Sequence, residues 1–150
     1  MKFEAPRKLN RITRGVMRHF TQIGLSSLSE FSPAKGLRVD IVAIGLSDEI
    51  WIVECKSSQG DFKSDKKWQN YLDWCDRYFW AVDAKFPINI LPSDTGLIIA
   101  DAYDASIFRD APLNKLSAAR RKKITKSIAR SACNRLLPHT DPKISILSFF

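Results

Sequence analysis

Short apolar runs separated by turn residues organise the middle of this chain. Leu37–Ile44 is apolar apart from Arg38 and Asp40, and Ile50–Lys56 is apolar until it closes on Glu54, Cys55 and Lys56. Both have the length and composition of buried β-strands. Gly45-Leu46-Ser47-Asp48-Glu49 lies between them. Its turn residues predict a β-hairpin with strands near 37–45 and 49–57. A strand over 25–31 ending at Pro33, a strand over 78–82, another over 95–100 and an edge strand at 107–109 follow from the same pattern. Residues 144–150 are expected to close as a last strand.

Helical spacing appears in three places. Ile12, Val16, Phe20 and Ile23 form an apolar stripe in a helix expected near 7–23. Asp61-Phe62-Lys63-Ser64-Asp65 supplies early acids for a helix running to about Cys75, with Trp68, Tyr71, Leu72 and Cys75 on one side. Leu116, Ile124, Ile128, Ala132 and Leu136 mark a helix near 114–137, capped by Asn114 or Ser117 and ended by Pro138. A helix, three strands, a helical crossover and further strands predict an α/β domain with a central mixed β-sheet and flanking helices. No repeat or linker divides residues 1–150.

Chemistry concentrates in the hairpin. Side chains alternate along a strand, so Glu54 and Lys56 point to one face, and the hairpin sets Asp40 beside them. Two carboxylates and an ammonium on otherwise apolar strands are expensive to bury without a purpose. A hard divalent cation such as Mg²⁺ gives them one, because it takes oxygen ligands and keeps several waters. Cys55, between the two site residues, is expected on the opposite face in apolar packing.

Charge adds a partner to this picture. The 150 residues carry a formal net charge of +8, with a pI near 9.6, which favours a polyanion, nucleic acid before an acidic membrane. Between Lys115 and Arg135 there are eight basic residues and no acid. Arg120, Arg121, Lys122, Lys123, Lys126 and Arg130 in this stretch, and Arg11, Arg14 and Arg18 in the first helix, are the candidate phosphate contacts. Taken alone such helices are ordinary solvated surface; bracketing a metal site, they suggest nucleic acid. Three cysteines without a C-x-x-C pair point to reduced thiols rather than disulfides or zinc. His19 and His139 are isolated. The four tryptophans are expected mainly in the core, and Asp76-Arg77 in ion pairs or a turn. No signal-peptide pattern or stretch of membrane-spanning length is seen, so a cytoplasmic protein without a membrane partner is expected.

The order of elements, with an acid on the second strand and Glu-x-Lys on the third, resembles the restriction-endonuclease-like PD-(D/E)xK nucleases. More narrowly, Arg38-Val39-Asp40-Ile41 and Trp51 to Ser58 resemble the bacterial MmcB-type DNA-repair family. So do Asp61-Phe62, Asp65-Lys66-Lys67-Trp68 and Tyr71 to Phe79. The proline of the superfamily's nominal motif is missing before Asp40. The resemblance implies a single nuclease-like domain acting on DNA in bacterial, nucleoid-associated repair. Asp40, Glu54 and the Cys55 backbone carbonyl would hold Mg²⁺ or Mn²⁺, with Glu30 as an extra carboxylate. Lys56 would position or deprotonate the attacking water. Gln69 and Ser57 are further pocket candidates. A homodimer and repair-protein partners are compatible with this picture. Three functions follow: a metal-dependent, structure-selective nuclease, a non-cleaving DNA-binding recruitment module on the same fold, or a basic protein-interaction domain.

Overall fold

In the computed structural model residues 9–144 are described, so the strand expected at 144–150 lies outside them, apart from Ile144. The elements run α1 (Arg11–Gln22), β1 (Ser26–Phe31), β2 (Val39–Ile44), β3 (Ile50–Cys55), α2 (Gln59–Ser64), a 3₁₀ segment (Trp68–Trp74), β4 (Arg77–Val82), a 3₁₀ turn (Ile88–Ile90), β5 (Gly96–Ala100), β6 (Ala105–Arg109) and α3 (Ala118–Thr140). The strands form one six-stranded sheet in sequence order. β1, β2 and β3 pair antiparallel, β3, β4 and β5 pair parallel, and β6 returns antiparallel to β5. This is the mixed α/β sheet that the sequence predicts.

Alternation along the central strands divides the core into two layers. Ile41, Ala43, Val53, Phe79 and Ile98 face α1, whose Val16 and Phe20 are fully buried among them. Val42, Ile52, Tyr78, Trp80 and Leu97 face the other way, under Ile124 and Ile128 of α3 and Tyr71 and Trp74 of the 3₁₀ segment. The two basic helices thus lie on opposite faces. Asn10 caps α1 by accepting the Thr13 N–H, and Ser117 caps α3 by accepting the Arg120 N–H.

Helix boundaries differ from the sequence expectation: α1 starts at Arg11 rather than near 7, and α3 starts at Ala118 rather than near 114. The helix expected to run from Asp61 to Cys75 is cut: Ser58 starts α2, Asp65 leaves helical geometry, and the chain resumes as 3₁₀ turns at Trp68. At the break the Asp65 carboxylate accepts the Lys67 N–H and reaches Lys56, contacts a continuous helix would not allow. Pro138 does not end α3, which continues to Thr140, because a proline so near the terminus removes one backbone bond while the Asp141 N–H still closes the last turn on Leu137.

Asp76 ties the layers together. Its carboxylate, essentially without solvent exposure, accepts the Ile50 and Leu116 N–H groups and a bidentate pair from Arg121 at 2.6 Å. One side chain therefore joins the start of β3, the head of β4 and the entry to α3. Beside it Arg77 pairs with Glu49 and donates to the Ala111 carbonyl. Both residues act structurally, as their sequence setting suggests. Burial pushes the Asp76 carboxyl up, but Arg121 and the two N–H donors more than offset this and hold it below its ordinary value. Its contribution is therefore complete above the unfolded carboxyl pKa of about 4 and fades as pH falls below that. Asp76→Ala is expected to lose about 3 kcal/mol of stability at pH 7 by stranding Arg121. The gap to wild type in urea unfolding should narrow below pH 4.

Candidate active site

The ladder between β2 and β3 is regular from Ile44↔Ile50 to Ile41↔Val53. Beyond that pair, two acids take over from the backbone. The Asp40 N–H donates to Glu54 Oε1 at 3.0 Å, and the Cys55 N–H donates to Asp40 Oδ2 at 2.7 Å. Each carboxylate thus bridges to the other strand's main chain, and the strands splay around the pair.

Parity places the rest. Glu54 and Lys56 share the face of Ile50 and Ile52, beside Trp80, and are 6% and 7% exposed. Cys55 points to the α1 side, where its sulfur lies 3.5 Å from the Thr13 hydroxyl and burial pushes the thiol up, away from nucleophilic reactivity. In a strand a residue's N–H and C=O point the same way. The Cys55 N–H meets Asp40, whereas the Lys56 N–H meets Ala81 on β4. The Cys55 carbonyl is therefore directed to the side of the carboxylates.

Lys56 is held by the break after α2. Its Nζ lies 2.9 Å from Asp65 Oδ2 and 3.9 Å from Asp61 Oδ1, and 5.9 Å from the Trp80 ring centroid. Burial pulls its pKa down, but the bond and charge of Asp65 more than compensate, and it stands above its ordinary value. Lys56 is a fixed cation at neutral pH. Sequence spacing assigns Asp61 and Asp65 to a helix start; only Asp61 is there, and both serve Lys56.

The carboxylates behave in the opposite sense. Burial raises Asp40, partly offset by the Cys55 N–H and Lys56. Burial and the Asp40 charge push Glu54 up to about 8. The Tyr78 hydroxyl and Trp80 Nε1, buried on this same face, have no hydrogen-bond partner among the described residues. An open groove of about 1010 Å³ reaches Asp40 and Lys56, walled by the start of α1 at Arg11, by Asp83 after β4 and by the β5–β6 loop.

Several candidates sit elsewhere. Glu30 is at the register position across from Asp40, but its carboxylate pairs with Arg38 at 2.8 Å. Among the described residues no three His, Cys, Asp or Glu side chains converge as metal ligands. Ser57 is exposed at the groove and donates to Asp61, and Gln69 is exposed on the 3₁₀ segment, outside the groove. Arg121 is committed to Asp76. Arg120 stacks on Trp74 at 4.0 Å, and Lys123 lies 5.6 Å from the same ring. Arg11, Arg18, Lys122, Lys126 and Arg130 remain exposed, and Arg14 is half-buried.

A sequence model described as DNA repair protein MmcB-like matches residues 3–143. The chain belongs to this family. Among solved structures, a protein of unknown function from Silicibacter pomeroyi is 54% identical, with a TM-score of 0.87 over 90% of this chain and 92% of that one. No curated protein matches. Family membership associates the chain with DNA repair. No described helix is long and apolar enough to cross a membrane.

With its raised folded pKa, Glu54 favours the protonated form. Its contribution is full below the unfolded value of about 4.5 and is lost as pH rises through 8. In chelator, the melting temperature of Glu54→Gln relative to wild type should climb between pH 5 and about pH 8 and level off above it.

Proposed function

We propose that this chain is a metal-dependent nuclease of DNA repair on a restriction-endonuclease-like sheet, hydrolysing phosphodiester bonds at the Asp40–Glu54–Lys56 cluster. The observation that carries this reading is the pairing of the half-buried Asp40 with the buried Glu54, whose ionisation is opposed by burial and, for Glu54, by the Asp40 charge. A divalent cation relieves that opposition. Each acid commits one oxygen to a backbone N–H, leaving Asp40 Oδ1 and Glu54 Oε2 without a hydrogen bond among the described residues. With the Cys55 carbonyl they form an all-oxygen set suited to Mg²⁺ or Mn²⁺, which accept one or two carboxylates and keep several waters. Bound there, such an ion supplies polarisation of a phosphate and a more acidic water.

The remaining work falls to the chain. Lys56, kept charged by Asp65, balances negative charge as it grows on the phosphate and orients the attacking water, rather than removing its proton. Asp40 and Glu54 keep their geometry through the two backbone bonds. Arg11 and the exposed Lys122, Lys126 and Arg130 meet phosphates further along the strand. Selection by DNA structure rather than sequence belongs to this reading. The Lys56–Asp65–Asp61 contacts leave a second reading, in which the site binds DNA without cutting it.

Incubation of the pure protein with labelled single-stranded, duplex, flap and four-way-junction DNA in Mg²⁺ or Mn²⁺ separates these readings. Metal-dependent products are expected, reduced about a hundredfold or more in Glu54→Ala and Lys56→Ala. Salt-sensitive binding by wild type and variants alike without products would favour the recruitment reading, and absence of both binding and products would defeat the DNA reading.

A further inference from the structure

Tyr103 lies in the turn between β5 and β6 and is 69% exposed. Its turn is tightly fixed. Asp101 Oδ1 accepts the N–H groups of Tyr103 and Asp104 at 2.7 and 2.9 Å, the Asp101 N–H donates to the Asp104 carbonyl, and Asp104 Oδ1 accepts the Ala105 N–H. Helix α1 presses on the same turn at Gly15, where a Cβ would come within 1.9 Å of the Asp101 carbonyl oxygen. The Arg14 guanidinium stands 5.9 Å from the ring centroid. An aromatic ring held out to solvent on an immobile turn is a contact surface rather than a fraying side chain.

Its surroundings narrow the ligand. Asp101 and Asp104, on either side of Tyr103, wall the groove that reaches Asp40 and Lys56, so the ring stands at that groove's rim, outside its lining. Their carboxylates repel phosphate at this point of the rim, while Arg11, on the groove wall near Asp101, attracts it. A flat uncharged group is the complement of the ring, and an arginine beside an aromatic is a combination suited to a nucleobase. Bases within a duplex have their faces stacked on one another, so only an unpaired one can present a face.

We propose that Tyr103 is a stacking platform for an unpaired base, which makes single-stranded or flapped DNA, rather than continuous duplex, the ligand of the groove. This rests on the nuclease reading above and names its substrate class.

Binding of fluorescein-labelled single-stranded 15-mer (about one OB-fold site in length) and of the matching duplex, followed by anisotropy in EDTA, tests it. Wild type, Tyr103→Ala and Tyr103→Phe are compared, with melting temperatures as a check on folding. Tyr103→Ala is expected to weaken single-strand binding about tenfold and to leave duplex binding and the salt dependence unchanged. Tyr103→Phe, which keeps the ring, should bind as wild type. Unchanged single-strand binding by Tyr103→Ala, or an equal loss in Tyr103→Phe, would overturn the stacking platform while leaving the nuclease reading intact. A folded wild type that binds neither DNA overturns both.

Discussion

The splay of β2 from β3 around Asp40 and Glu54 is the constraint on which the rest depends. Once the ladder stops at Ile41↔Val53, the next main-chain donors on each strand would go unpaired in a half-buried place. Unmade bonds of that kind cost about 1–3 kcal/mol each. The two carboxylates meet them, so the acids are part of the sheet's own hydrogen bonding as well as its candidate chemistry. The same arrangement brings two like charges together under the 3₁₀ segment. Under the proposed function, a divalent cation relieves this juxtaposition of acids.

Two further anchors fix this site from outside. Asp76 locks the opposite ends of β3 and β4 to α3, so the parallel strands that deliver Glu54 and Lys56 cannot slide. Asp65, by breaking its own helix, sets the ammonium of Lys56 and keeps it charged. Both devices use a carboxylate to organise a cation, and both lie away from the splayed pair. Beside the carboxylates stands a fixed positive charge, the Lys56 ammonium.

The strands were legible because apolar runs bounded by glycine and aspartate leave little choice of structure, and Glu-x-Lys on a strand fixes parity. Cys55 on the far face and Asp40 across the hairpin follow from the same rule. The segment after β3 was not legible. Asp61 and Asp65 look like helix-start acids at helical spacing, and only the tertiary contact with Lys56 explains why the helix stops. Pro138 misleads in the other direction, since a proline signals a helix end more strongly than it enforces one. The basic residues of α3 show the limit of counting charge: Arg120 and Arg121 are engaged by Trp74 and Asp76, while Lys122 and Lys126 on the same helix stay exposed. Tyr103 carried no sequence signal, because nothing but the turn geometry distinguishes it from a core aromatic.

The central claim, that the Asp40–Glu54 pair is a divalent-cation site, is tested most directly by titration calorimetry with Mn²⁺ at pH 7 in buffers of different ionisation enthalpy. The account predicts binding accompanied by release of about one proton, because Glu54 is still largely protonated below pH 8, with both binding and proton release lost in Glu54→Gln. Binding that is absent in the wild type, or that persists unchanged in Glu54→Gln, would contradict it.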